Sequence, residues 1–251
     1  MSVTAVTGHE WRRLWVRPFA WILAAATLAW LGWQFVLLLG HFLDVEVKLA
    51  ALSEGPGYTD LVAVPLLAQF AQLAIVLVPL VTMSTLAGER RAGTLPLLFA
   101  AGVSPARIVS GKYLAVLGWL LAILLLTLAM PLALAHVTAP DWGKLAAATL
   151  GMALTLAALA AIGVACSAFT AHPALAAAAA LVVTLALWAV NLGAQAGGVL
   201  GGVLNWLALS THLQPMWRGV VSTADVAWFL IVAALALALA IWRLGGERTR
   251  G

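Results

Sequence analysis

The sequence predicts an all-α polytopic membrane protein with six transmembrane helices, and three observations carry that prediction. Hydrophobic residues make up 64% of the 251-residue chain and charged residues 9%, where a soluble domain has about 25% charged. Six apolar runs each approach the roughly 20 residues that a helix needs to cross the hydrocarbon core. The thirteen Lys and Arg residues sit at the boundaries of those runs, ten toward one side and three toward the other. A chain this apolar has no core large enough to hide its surface from water, so residues 1–251 read as one transmembrane domain.

Composition also excludes several classes. The single cysteine, Cys166, lies inside an apolar run, so no disulfide framework or Cys-based zinc site is available. The net charge of +4 comes from scattered residues that form no patch long enough to neutralise a phosphate backbone, so no nucleic-acid partner is expected.

Taken in order, residues 1–19 come first. Trp11, Leu14, Trp15 and Phe19 recur at helical spacing, with Arg12, Arg13 and Arg17 on the other face. That is the pattern of an in-plane amphipathic helix, arginines toward lipid phosphates and tryptophans at the acyl boundary. The spans follow at 20–40, 61–86, 112–136, 144–168, 174–193 and 225–243. The first exceeds the about 7–15 residues of a signal-peptide core, and Trp30, Trp33 and Gln34 continue it where a cleavage site would fall. The fifth opens after His172-Pro173, with proline near the first turn, where its missing N–H costs little. Between the first two spans, Phe42, Val45, Leu49 and Leu52 predict a short amphipathic turn ending at Glu54-Gly55-Pro56-Gly57. The glycine-rich segment 194–223 predicts two short helices lying on, or dipping into, the outer leaflet. The twelve tryptophans fall mostly at span ends, as interfacial anchors do.

Orientation follows from the basic residues. Arg12, Arg13 and Arg17, then Arg90, Arg91, Arg107 and Lys112, then Arg243, Arg248 and Arg250 share one side; Lys48, Lys144 and Arg218 take the other. The positive-inside rule places both termini and residues 88–111 in the cytoplasm.

That segment, 88–111, is too elaborate for a connector, since a loop between two spans can be a few polar residues. Gly93 permits a sharp turn, and Thr94 is a good N-cap for Leu95-Pro96-Leu97-Leu98-Phe99-Ala100-Ala101, with Pro96 in the first turn. Gly102 fits the left-handed position at a helix C-terminus, and Ser104-Pro105 repeats the cap-plus-proline signal to launch the third span. The product is a short, rigid helix across the cytoplasmic face, clamped at both ends.

Within the spans, charge is nearly absent. Carriers driven by protons or sodium keep ionisable residues at mid-membrane, where they are expensive and functional. Here the spans offer mainly Gln69, Gln72, Asn191 and hydroxyls. Those three polar residues either line a substrate path or serve as interhelical hydrogen-bonding glue. Gly151, Ala157, Ala161 and Ala165 are small residues at close-packing spacing and read as helix packing. His41, His136 and His212, with Met130 and Met216, fall near the outer face but lack the spacing of a metal site, so none is assigned. No G-x-x-x-x-G-K-[ST] occurs, so nucleotide is not bound by this chain and it is not an enzyme by itself. Energy must come from outside the bilayer or not at all.

At this point the residues carry a family resemblance. Glu89-Arg90-Arg91-Ala92-Gly93-Thr94, Leu97-Leu98, Val103-Ser104, and Ile108 through Gly111-Lys112 resemble the signature of ABC-2-type permeases. Leu209-Ser210 through His212, Gly219-Val220-Val221, Asp225 and Trp228-Phe229-Leu230 resemble its gliding-motility and nitrous-oxide-reductase-maturation branch. The chain departs from the family pattern at Pro96, where an acidic residue is common, and at Gly102, where proline is. The resemblance implies six spans, an N-terminal elbow helix at 1–19, a coupling helix in 88–111, and short outer helices before the last span. It further implies a homodimer or a pair with a sister permease in the bacterial inner membrane. Two copies of a cytoplasmic ATPase would hold the ATP and magnesium, and a periplasmic accessory protein has a place in such an assembly. The ATPase-coupling residues would be Glu89, Arg90, Arg91, Gly93, Thr94, Leu97, Leu98 and Phe99.

Three other readings stand beside the permease. A secondary carrier or channel conflicts with the missing charges, and an intramembrane hydrolase built on Ser167 and His172 lacks a nucleophile motif. A membrane scaffold that borrows the permease fold is the third. The substrate is not legible.

Overall fold

The computed structural model describes residues 3–16, 18–49, 56–193 and 198–248, and every regular element among them is helical. Helix α1 (Val3–Val16) precedes α2 (Pro18–Leu49). A π-helical turn (Thr59–Ala63) runs into α3 (Val64–Thr82), followed by the short α4 (Ala87–Arg91) and α5 (Leu95–Ala100). Then come α6 (Pro105–Leu132), α7 (Trp142–Ala168), α8 (Pro173–Gly193), α9 (Gly198–Leu207), α10 (Leu209–Trp217) and α11 (Thr223–Arg248). Six segments, based on α2, α3, α6, α7, α8 and α11, are long and apolar enough to cross a membrane. With an even number of crossings, α1, α4, α5 and the end of α11 share one face, here the termini face. Helices α9 and α10 lie on the opposite face.

Several boundaries moved for identifiable reasons. Helix α2 does not stop at residue 40 but continues as one helix to Leu49, so no separate amphipathic turn begins at Phe42. Gly40 alone costs a helix only about 1 kcal/mol, and Phe42 beyond it is buried edge-on against Tyr58 with rings 5.6 Å apart. The side chain of Leu49 and the whole of Leu52 lie outside the described residues. The π-helical turn ends just before Pro65, which has no N–H to give and crowds the carbonyl one turn back; widening the turn relieves that clash. Helix α6 starts at Pro105, where Ser104-Pro105 predicts it, and ends at Leu132, one residue after Pro131.

Helix α7 is the hub. Helices α3, α6, α8, α10 and α11 all pack on it, and 67% of its most apolar window is buried, against 17% for α2 and for α8. Lipid tails are as apolar as Leu, so helices in a bilayer associate through close packing more than through burial. The small residues of α7 serve that packing: Gly151 lies against Met216 and Leu213 of α10, and Gly163 against Thr82 of α3. A Cβ at Gly163 would stand 2.8 Å from the Thr82 Cβ. Thr82 cannot swing away easily, because it is fully buried and its hydroxyl donates to the Val78 carbonyl at 2.8 Å. Gly163→Val is therefore expected to destabilise the bundle by about 1–3 kcal/mol, read as a lower thermal midpoint of the detergent-solubilised chain. An unchanged midpoint would show that α3 and α7 separate freely here.

Candidate functional site

The termini face is built around a bend that the sequence did not disclose. Helix α3 ends at Thr82, and residues 83–86 turn the chain into α4. The N-cap residue of α4, Leu86, has no polar side chain, so a neighbour supplies the cap. The Ser167 hydroxyl of α7 accepts from the Leu86 and Ala87 N–H groups at 3.1 and 2.9 Å and donates to the Met83 carbonyl at 3.1 Å. Ser167, weighed above as a nucleophile, is a strut.

Helix α4 then sorts its three charged residues. Glu89 points inward and is buried. Its carboxylate accepts from Arg13 at 2.6 Å, from Lys112 at 3.2 Å and from the Thr94 hydroxyl at 2.7 Å. Lys112, 1% exposed on α6, also donates to Glu10 of α1 at 2.7 Å. Two carboxylates and two cations thus join α1, α4 and α6. Arg90 reaches the other way. It donates to the Ala168 and Thr170 carbonyls at the end of α7, at 2.7 and 2.9 Å, and to Glu247 of α11 at 2.7 Å. A guanidinium at a helix C-terminus meets the negative end of the helix dipole. Arg91 alone of the three is exposed.

The turns at either end of α5 are alike. Gly93 (φ +67°) and Gly102 (φ +73°) adopt the left-handed conformation that favours glycine. The Thr94 N–H returns to the Glu89 carbonyl at 3.0 Å and the Val103 N–H to the Leu98 carbonyl at 3.2 Å, the six-to-one bonds of Schellman motifs. One expectation fails here. Thr94 does not cap α5; its backbone is already helical, and its hydroxyl goes to Glu89 instead. Of the apolar residues of α5, Leu95 is buried, while Leu98 and Phe99 pack against the core formed by Leu86, Val103 and Ile108. Leu97 is 68% exposed, flanked by exposed Pro96 and Ala100. Between α5 and the end of α11 lies an open cavity of about 630 Å³, lined by Arg90, Leu95, Pro96, Phe99 and Glu247 among others.

The N-terminal helix departs from the pattern read in its sequence. Trp11 faces inward, its indole seated on Gly118 of α6, where a Cβ would stand 2.6 Å from the ring. Arg13 also faces inward, toward Glu89 and Glu10, rather than toward lipid phosphates. Arg12 and Trp15 are exposed; Trp15 meets the edge of Trp21 at 5.0 Å and accepts a hydrogen bond from its indole through the backbone carbonyl. Arg17, and the side chains of Leu14 and Asn191, lie outside the described residues. Gln69 is half-buried and Gln72 exposed on α3, and neither makes a hydrogen bond among the described residues. His41 and His136 are exposed and His212 is buried; no three His, Cys, Asp or Glu side chains converge among the described residues.

A family model described as ABC-2 family transporter protein matches residues 44–242, about four-fifths of the chain. The chain belongs to that family. It is a multi-pass membrane permease of the ABC-2 type, the transmembrane component of an ABC transporter. The match does not single out the gliding-motility or nitrous-oxide-reductase branch, and no curated protein matches the chain. The matched region opens within α2, so the packing of α1 onto the permease is known from its own contacts with α6. Sequence reasoning weighed Ser167 only as a nucleophile, and it missed Glu10 and Glu247. A signal existed for the two acids: Glu10, Glu89 and Glu247 are the three carboxylates on the basic side, and all three are paired.

Proposed function

We propose that this permease moves a substrate across or out of the bacterial inner membrane, driven by ATP that a separate cytoplasmic ATPase hydrolyses, with α5 as the coupling helix. The observation that carries the reading is the mounting of α5. Its flanking turns are fixed by Schellman motifs, its base is tied to α7 through Ser167 and to α11 through Arg90, and Leu97 is left presented outward. An outward leucine with exposed Pro96 and Ala100 beside it, on a platform held at both ends, is suited to contact a partner. The basic excess on the termini face supports a cytoplasmic location for both termini. Two permease chains, as a homodimer or with a sister permease, would sit over two ATPase subunits. With no phosphate-binding loop in its sequence, the chain binds no nucleotide and needs no cofactor of its own.

The test is purification of the tagged chain from its native membrane. A P-loop ATPase is expected to co-purify, with hydrolysis present in the complex and absent from the isolated permease. Reporters fused after Gly251 are expected to read as cytoplasmic, and reporters inserted at Gly57 as external. Hydrolysis by the isolated chain, or an external reading at Gly251, would overturn the proposal.

A further inference from the structure

On the face opposite the termini, His212 of α10 is buried with both ring nitrogens occupied. Nδ1 lies 2.7 Å from Asp225 Oδ1, and Nε2 lies 2.9 Å from the Trp206 carbonyl oxygen. A carbonyl cannot donate, so Nε2 must carry a hydrogen. The Nδ1 contact needs a second hydrogen, shared with the carboxylate. Satisfying both contacts takes one hydrogen more than a neutral imidazole beside an ionised Asp225 supplies.

The pair sits among groups that attract positive charge. The imidazole stacks on Trp228 with centroids 4.6 Å apart and planes at 21°, an arrangement that attracts a cation. Trp206 stands in the last turn of α9, whose carbonyls carry the negative end of the helix dipole. The other elements packed on α10 add little competing charge. Helices α8 and α9 have no titratable side chain, and α7 offers at this end only Lys144, paired with Asp60 at 2.7 Å, and its capping Asp141. Arg218, at the end of α10 itself, is exposed.

We propose that His212, Asp225 and the Trp206 carbonyl form a proton-binding site whose bound proton latches α9 to the bundle. When the proton leaves to solvent, the remaining hydrogen stays on Nδ1, where the carboxylate holds it by charge. The Nε2 lone pair then faces the Trp206 carbonyl at contact distance and repels it, releasing the end of α9. The latch is closed at low pH and opens as pH rises.

Ala208, fully buried at the joint between α9 and α10, reports the opening. The full chain would be studied in nanodiscs, where buffer reaches both faces, as Ala208→Cys in a Cys166→Ala background. Its maleimide reaction rate would be divided by that of an exposed control, Val203→Cys, to cancel thiol ionisation. Between about pH 5 and about pH 8, the range over which imidazoles change charge, the ratio is expected to rise about tenfold, since each pH unit changes the proton-free fraction up to tenfold. His212→Gln, which has no titrating proton, should remove the step. Asp225→Asn should move it toward acid, because an amide oxygen accepts the Nδ1 hydrogen without neutralising its charge. A flat ratio in the otherwise native background, or an unchanged step in both variants, overturns the latch.

Discussion

Leu97→Asp is expected to strip the partner ATPase from the permease while leaving the six-helix bundle folded. Leu97 is the one large apolar side chain of α5 that turns outward, at 68% exposed, whereas Leu98 and Phe99 are committed to the core beneath. Apolar anchors at the centre of an interface commonly contribute about 2 kcal/mol or more, which corresponds to roughly a thirtyfold weaker Kd. A carboxylate at the same place also has to be desolvated without a partner, so the loss should exceed that of Leu97→Ala. Leu98→Asp is a poorer probe, because it buries a charge within the permease and confounds binding with folding. Val137→Asp supplies the control: Val137 is 85% exposed and lies past the end of α6, on the opposite face. The measurements are recovery of the ATPase with the tagged permease and coupled hydrolysis. Full retention of both by Leu97→Asp would reduce α5 to a connector.

The spanning helices were legible because a bilayer leaves little choice: a long apolar run must close its own backbone hydrogen bonds, and a helix does so. Glycine and proline around α5 were equally legible, since a left-handed turn and a first helical turn each demand a particular backbone. What stayed hidden was side-chain direction. Helix α4 has five residues, too few for a period to show which of Glu89, Arg90 and Arg91 faces in. Two of their partners, Arg13 and Glu247, lie 76 and 157 residues away. Thr94 was misread as a cap because local sequence favours that role, while the buried Glu89 carboxylate five residues earlier was the stronger acceptor. The amphipathic pattern of α1 misled in the same way. Arg13 lies on the polar stripe, yet that stripe meets a buried acid before it meets lipid.

The four-charge network is where the largest stability effect is expected. Lys112→Met removes the cation that bridges Glu10 and Glu89, leaving both carboxylates to Arg13, which is 2.6 Å from Glu89 and 3.7 Å from Glu10. Removing one partner of a buried ion pair typically costs about 3–5 kcal/mol, so the thermal midpoint of the solubilised permease should fall by roughly 10 °C. The loss comes from stranding a charge and not from the pair's intrinsic strength, and a second substitution separates the two. Glu10→Gln alone should cost less, since Lys112 keeps Glu89 at 3.2 Å. In Lys112→Met combined with Glu10→Gln no acid is stranded, because Arg13 suffices for Glu89. The double variant should therefore be more stable than Lys112→Met by itself, a coupling of about 0.5–3 kcal/mol between contacting residues. If the two effects simply add, Glu10 and Lys112 act independently. If Lys112→Met leaves the midpoint unchanged, α1 is not tied to α4 through this network.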